Sequence, residues 1–148
     1  MILFDVERLE ASHLAEIRDR AVVEMMLGVD QLLDFWPHYK NGDGFIGRYD
    51  GDVVVASGVM NLWPGVGEAW ALFTPEAQPV RRVISRHFKR MFDLVIIANG
   101  YHRVQASVRA DFTAGIRFAE WLGFEEEGVM KRYDAEQNDY LRMARIGS

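Results

Sequence analysis

The fold of this chain is decided by one C-terminal stretch, RVQASVRADFTAGIRFAEWLGFEEEG, which runs from Arg103 to Gly128. Residues 103–108 predict a strand. A helix is expected from Thr113 to Leu122, and Gly123 ends it because glycine accepts the left-handed backbone of a helix terminus. Residues 124–132 and 139–146 predict two further strands that close a hairpin.

A long helix precedes this stretch and is predicted from about Gln78 to Asn99, with Gly100 as its C-terminal residue. Its apolar side chains recur every three or four positions, which is the period of a helix with one buried face. These positions are Val80, Ile84, Phe88, Met91, Phe92, Val95 and Ile96. Because the helix joins two strands, the crossover predicts that they pair in parallel.

Three antiparallel strands are predicted before that helix, between residues 44 and 74. Asp50-Gly51 forms the first turn, since glycine tolerates positive φ, and Pro64-Gly65 marks the second. Further upstream, residues 2–6 predict a strand. Ser12 is the expected N-cap of a helix that ends at Gly28, and residues 30–36 predict a short second helix. The order indicates an α/β (α+β) fold with a mixed sheet flanked by helices.

Composition excludes several classes of protein. The chain has 148 residues, no cysteine and a net charge of -5. It therefore has no disulfide framework, thiolate zinc site or cysteine nucleophile, and its acidity argues against general nucleic-acid binding. No apolar run approaches the ~20 residues that span a bilayer, and the histidine spacing predicts no metal site. We expect a single domain over residues 1–148, located in the cytoplasm.

The quoted stretch resembles the GNAT (GCN5-related N-acetyltransferase) superfamily, whose helix typically ends as Leu122-Gly123-Phe124 does. The whole chain fits the element order of that superfamily. It is most similar to divergent phage-encoded members, which carry the RDR…EMMLG opening found at Arg18–Gly28 and a W-x-L-x-T strand such as Trp70–Thr74. A phage-encoded protein would act in the host cytoplasm.

The resemblance implies a mostly antiparallel sheet of about six or seven strands, about four helices and a splayed central strand pair. The pantetheine arm of acetyl-CoA would enter between the strands 68–74 and 103–108 and pair with backbone groups. The pyrophosphate would lie at the start of the next helix, where free N–H groups attract anions. The implied cofactor-binding residues are Leu72, Phe73, Thr74, Gln78, Arg81, Arg82, Val83, Ile84 and Ser85.

Two departures from the family pattern leave alternatives open. Arg81 and Val83 stand where the superfamily has the glycines that let phosphates approach the backbone. Either Arg81 and Arg82 replace that cradle with guanidinium contacts, or the site is degraded and CoA binds weakly or not at all. In addition, Ala119 stands where the family often has a tyrosine that protonates the leaving thiolate, and that loss removes one proton donor.

Two residues are candidates for the catalytic chemistry. By the resemblance, Glu68 is the base that takes a proton from the acceptor amine; the alternative is an exposed carboxylate at a strand edge. Tyr133 is a candidate substitute acid, and packing is its alternative role. Trp63 and Trp70 are expected in the core or in a pocket wall, and residues 28–44 are expected to shape the acceptor pocket.

The sequence therefore predicts an acetyl-CoA-dependent N-acyltransferase that moves an acetyl group directly to an amine. Its acceptor is a small molecule or a peptide, and neither a membrane nor a nucleic acid is an expected partner. The resemblance also implies a homodimer as a partner, since GNAT-like domains often dimerise. The alternative is a catalytically degenerate GNAT-like protein with a binding or structural role, since fold does not determine function.

Overall fold

Seven strands form one continuous sheet in the computed structural model, which describes residues 4–18 and 43–147. The strands are β1 (Phe4–Arg8), β2 (Asp43–Tyr49), β3 (Asp52–Trp63), β4 (Val66–Phe73), β5 (Arg103–Arg109), β6 (Glu125–Met130) and β7 (Tyr140–Ile146). Three α-helices lie within the described ranges, α1 (Ala11–Arg18), α2 (Arg81–Asn99) and α3 (Thr113–Trp121), together with a 3-10 helix (Pro75–Val80).

The sheet has the order β1-β2-β3-β4-β5-β7-β6 and is mostly antiparallel. Its one parallel pair among the described strands is β4 with β5, which α2 connects. This confirms the pairing expected from the crossover. The predicted turn at Asp50-Gly51 is also confirmed, because both residues have positive φ, 51° and 92°, as a two-residue hairpin turn requires.

Helices cover the two faces of the sheet, and the alternation of side chains along β4 shows how. Trp70 and Leu72 pack with Leu14 and Ile17 of α1 on the first face. Between them, Ala71 packs with residues of α2 on the second face, which α3 also covers. Successive strand residues point to opposite faces, so each residue of β4 can be assigned to one face. We call them the α1 face and the α2 face.

The boundaries of three predicted elements were wrong. β1 occupies Phe4–Arg8 and so continues beyond residue 6, where the predicted strand ends, because Arg8 still pairs with Phe45 of β2. Ser12 lies inside the first turn of α1 and is not its N-cap. The Nδ1 atom of His13 accepts a hydrogen bond from the backbone N–H of Glu10 at 3.0 Å, so a histidine side chain satisfies this N–H at the start of α1.

The long helix begins at Arg81, three residues later than predicted. Residues before it form the 3-10 helix, which contains Pro79. Proline lacks the N–H that an α-helix would need at an interior position and is tolerated only near its start. Gly100 ends α2 in the left-handed conformation, as predicted, with φ of 64°. The predicted helix at 30–36 lies outside the described residues.

No helix within the described ranges has the length and apolar character needed to cross a bilayer.

Candidate functional site

The predicted splayed strand pair is present between β4 and β5. The two strands pair only at Val66–Arg103, Gly67–Val104 and Glu68–Gln105. Beyond Glu68, β3 is the one described strand that still pairs with β4, and β7 is the one that still pairs with β5. Each strand therefore turns unpaired backbone groups toward the gap, which is the arrangement that an inserted extended chain can use.

A cavity of about 700 Å³ adjoins this gap. Such a volume is typical of small-molecule sites. Its wall is formed by the diverging ends of both strands, by the 3-10 helix, by the inner side of α2 and by α3. The strand residues in this wall include Ala69, Ala71, Phe73, Ala106 and Val108. Trp70 also lines the cavity, although its side chain packs with Leu14 and Ile17 on the α1 face. Because the cavity contacts a residue of that face, it extends into the gap between the strands.

An aromatic cluster lines the cavity and joins three elements. Phe73 of β4, Phe88 of α2 and Phe118 of α3 have ring centroids 6.0 to 6.2 Å apart. Trp121 stacks on Phe118 at 6.2 Å. These distances lie in the range of favourable ring packing. The cluster gives the cavity a rigid apolar wall suited to an alkyl chain.

One buried hydroxyl in the cavity wall has no partner within the described residues. Thr74 follows β4 and is 2% exposed, and its Oγ1 atom makes no hydrogen bond. Its backbone N–H is satisfied by the carbonyl of Val54 at 2.9 Å. An orphaned buried hydroxyl costs about 1–3 kcal/mol. A polar group of a bound molecule would remove that cost, so this position fits a ligand with hydrogen-bonding groups.

The start of α2 provides a positively charged rim for the cavity. Gln78, Arg81 and Arg82 belong both to the wall of the large cavity and to an adjoining hollow of about 350 Å³ formed by residues 78–83. The N-cap residue of this helix, Val80, makes no capping hydrogen bond through its side chain. The backbone N–H of Arg81 donates to the carbonyl of Gln78, but the helix dipole favours an anion there, and two exposed arginines add to that preference. The residues present therefore fit a phosphate-bearing ligand.

Glu68 is held at the last paired position of β4. It is 4% exposed, and the Nη1 atom of Arg142 donates to both of its carboxylate oxygens at 2.9 and 3.0 Å. Burial raises the pKa of Glu68 above the usual range, while Arg142 and Gln105 act in the opposite direction. The alternative of an exposed edge carboxylate is therefore wrong. A raised pKa makes this carboxylate a stronger base than an ordinary glutamate.

Glu68 belongs to a row of polar side chains that crosses β4, β5, β7 and β6. Arg103 donates from Nε to Gln105 at 2.9 Å and from its two Nη atoms to Glu127 at 2.9 and 2.6 Å. By alternation with Trp70, Glu68 points to the α1 face, away from the large cavity. The site thus has an apolar side and a polar side that meet at the gap.

The structure brings most of the predicted cofactor-binding residues to the cavity wall. These are Phe73, Thr74, Gln78, Arg81, Arg82, Ile84 and Ser85. Two side chains lie elsewhere: Leu72 is packed in the core of the α1 face, and Val83 is 39% exposed and belongs only to the smaller hollow. For Leu72 only the backbone is near the gap.

Two predicted aromatic positions are not part of the cavity wall. Tyr133 is 42% exposed, and its ring packs on Tyr140 at 5.2 Å. Trp63 is 59% exposed, so its expected place in the core or a pocket wall was wrong. It lies where β3 ends at a bulge opposite Val66. The predicted place of Trp70 is confirmed.

Two residues that contact Glu68 from other strands, Arg142 and Gln105, were not predicted from the sequence. Alternation along β7 places Arg142 on one face with Tyr140 and Ala144, and this placement could have been predicted from the sequence. The contact with Glu68 was not, because it joins residues 74 positions apart. The acceptor segment predicted at 28–44 lies almost entirely outside the described residues.

No model of a known protein family and no curated protein sequence matches the chain. Solved structures do match. A chimera of the spermidine N-acetyltransferase SpeG from Vibrio cholerae and hSSAT has a TM-score of 0.73 at 16% identity, over 97% of this chain and 95% of that one. A GNAT-family acetyltransferase from Streptococcus pneumoniae also has a TM-score of 0.73, at 12% identity over 99% and 100% of the two chains. The chain therefore has the GNAT fold.

Proposed function

We propose that this protein is an acetyl-CoA-dependent N-acyltransferase that transfers an acetyl group directly to an amine. The observation that carries the proposal is the gap between β4 and β5, which opens onto a cavity of about 700 Å³ beside an arginine-bearing helix start. Acetyl-CoA needs these features together: unpaired backbone for its amides, apolar space for its alkyl segments and positive charge for its phosphates.

The chain offers contacts for each part of acetyl-CoA. Backbone groups of residues 72–74 would hold the pantetheine arm, and the Thr74 hydroxyl is available to one of its polar groups. Gln78, Arg81 and Arg82, with the amides that lead to Ser85, would hold the pyrophosphate. In place of the close backbone approach that two glycines allow, the arginines supply planar guanidinium groups, which match phosphate geometry.

Glu68 is the proposed base. The amine nitrogen forms a bond to the acetyl carbonyl carbon, the carbon–sulfur bond breaks, and the nitrogen proton passes to Glu68 directly or through one water. Its raised pKa brings the carboxylate closer to neutral pH, where proton transfer is more effective. Because Ala119 carries no proton donor and Tyr133 lies outside the cavity wall, we assign the protonation of the thiolate to solvent.

The acceptor is proposed to be a small-molecule amine or a peptide amine. Several structurally similar proteins are spermidine N-acetyltransferases, which favours a small molecule. We propose that the activity is cytoplasmic. The relation to phage-encoded members and the homodimer stay predictions.

Calorimetric titration of acetyl-CoA tests the proposal against its alternative, a degenerate protein without catalysis. We expect micromolar binding that weakens at least about tenfold in Arg81→Ala/Arg82→Ala and depends on salt. Arg90→Ala/Arg117→Ala removes the same charge from exposed helix positions outside the cavity wall and should bind normally. A folded protein that shows no binding up to millimolar acetyl-CoA would overturn the proposal.

A further inference from the structure

The ion pair between Glu68 and Arg142 spans the gap on the α1 face. Glu68 belongs to β4 and Arg142 to β7, and β5 lies between them in the sheet. The arginine side chain therefore crosses over β5 just where the pairing of β4 and β5 stops. Any amine that approaches the gap from this face meets the carboxylate and the guanidinium together.

Among residues 4–18 and 43–147, the charges near this position are already paired. Glu68 is paired with Arg142, and the neighbouring Arg103 is paired with Glu127. No carboxylate of this row is without its cation. A polycation that displaced Arg142 from Glu68 would lie close to the guanidinium it displaced, with like charges together. The row therefore does not favour a polyamine.

Hydrogen-bonding capacity is left over beside the pair. Arg142 contacts Glu68 through Nη1 alone, its Nε and Nη2 atoms have no partner within the described residues, and its side chain is 24% exposed. Ser107 lies directly opposite Arg142 in the β5–β7 register. It is 1% exposed, and its Oγ atom has no partner in the described part of the chain. Arginine and serine donors side by side suit a carboxylate.

We propose that Glu68 and Arg142 select an acceptor that carries a carboxylate next to its amine, which is a small amino-acid-like molecule. This inference rests on the proposed function. A zwitterion can enter between the two side chains without leaving either charge unpaired. Glu68 exchanges the guanidinium of Arg142 for the ligand's ammonium group, and Arg142 exchanges the carboxylate of Glu68 for the ligand's carboxylate. Its amine then faces Glu68 and the gap, while its carboxylate takes the donors of Arg142 and Ser107.

Matched probes test the inference: L-phenylalanine against phenethylamine, L-lysine against cadaverine, and spermidine. Free CoA thiol is followed with a disulfide reagent, which reads only CoA because the chain has no cysteine. A site that hydrogen-bonds a substrate group discriminates strongly against an analogue lacking it. We expect kcat/KM at least about tenfold higher for the carboxylate-bearing member of one or both pairs, and calorimetry with CoA present should show the same order of affinity.

Variants of Arg142 connect the preference to this residue. In Arg142→Gln the preference should fall to below about threefold, and Arg142→Lys, which keeps the charge, should be intermediate. Arg48→Gln is the control, because Arg48 is equally exposed at 25% and pairs with Glu7 and Glu16 far along the sheet.

Three results would overturn the inference while the proposed function stands. These are equal or better use of the amine without a carboxylate, an unchanged preference in a folded Arg142→Gln variant, and binding of acetyl-CoA with turnover of none of the probes. Failure of acetyl-CoA to bind at all would instead overturn the proposed function, and this inference with it.

Discussion

Removal of Arg142 should destabilise the protein in a way that depends on pH. In Arg142→Met the carboxylate of Glu68 loses a cation whose Nη1 atom lies 2.9 and 3.0 Å from its oxygens. At an effective dielectric constant of about 20, that contact is worth about 5 kcal/mol in direct attraction. The substitution also removes the free-energy cost of burying the guanidinium of Arg142, which offsets part of that loss. This cost is moderate because the side chain is partly exposed. We therefore expect a net loss of about 2–3 kcal/mol near neutral pH.

The sign of the pH dependence follows from Glu68. Burial raises its pKa in the folded state, and Arg142 lowers it, so removal of the arginine raises the pKa further. Between the unfolded pKa of about 4.3 and the higher folded pKa, only the folded state holds the proton. The variant thus regains stability as the pH falls through this window, and its deficit against the parent protein should shrink.

Urea unfolding followed by tryptophan fluorescence measures both effects, at about pH 7 and about pH 4.5. A double variant, Glu68→Met/Arg142→Met, should recover most of the lost stability because a buried apolar pair replaces the ion pair. Arg48→Met serves as a control whose partners are partly exposed, and it should cost less than about 1 kcal/mol. An equal deficit at both pH values, with no recovery in the double variant, would refute this reasoning.

Three further predictions concern the site and its support. Glu68→Gln should lower kcat about a hundredfold or more and remove the acid limb of the pH–rate profile, which in the parent lies above the ordinary glutamate range; an unchanged profile excludes Glu68 as the base. Thr74→Val should leave the urea stability unchanged or raise it by about 1 kcal/mol, since an orphaned hydroxyl is lost, yet weaken acetyl-CoA binding; unaltered affinity would contradict a ligand contact. Gly58→Ala should cost about 2–3 kcal/mol of unfolding free energy, because the new Cβ would lie 2.7 Å from the Asp43 carbonyl oxygen; a cost under about 0.5 kcal/mol would contradict the packing.

Most of the fold was predictable because local patterns specify its elements. The period of α2, the glycines that end α2 and follow α3, and the Asp50-Gly51 turn all reflect backbone preferences within a few residues. The predicted cofactor-binding residues that lie in the cavity wall share this local origin. Arg81 and Arg82 lie at a helix start, and Thr74 lies at a strand end, so their positions follow from the element boundaries. The errors at Ser12 and at the start of α2 came from His13 and Pro79, whose effects a capping rule or an apolar period does not include.

What the sequence determined by itself was the order of its strands and helices and the side-chain pattern along each one, because these depend on short-range sterics and periodicity. The tertiary structure alone decided where β4 and β5 part, since that depends on which strands each of them pairs with on its other side. It also decided that Glu68 is buried against Arg142, which the chain supplies 74 residues later. Burial and long-range ion pairing are properties of the assembled sheet. The position of Glu68 in the order of strands could therefore be predicted from the sequence, whereas its burial and its ion pair could be seen only in the fold.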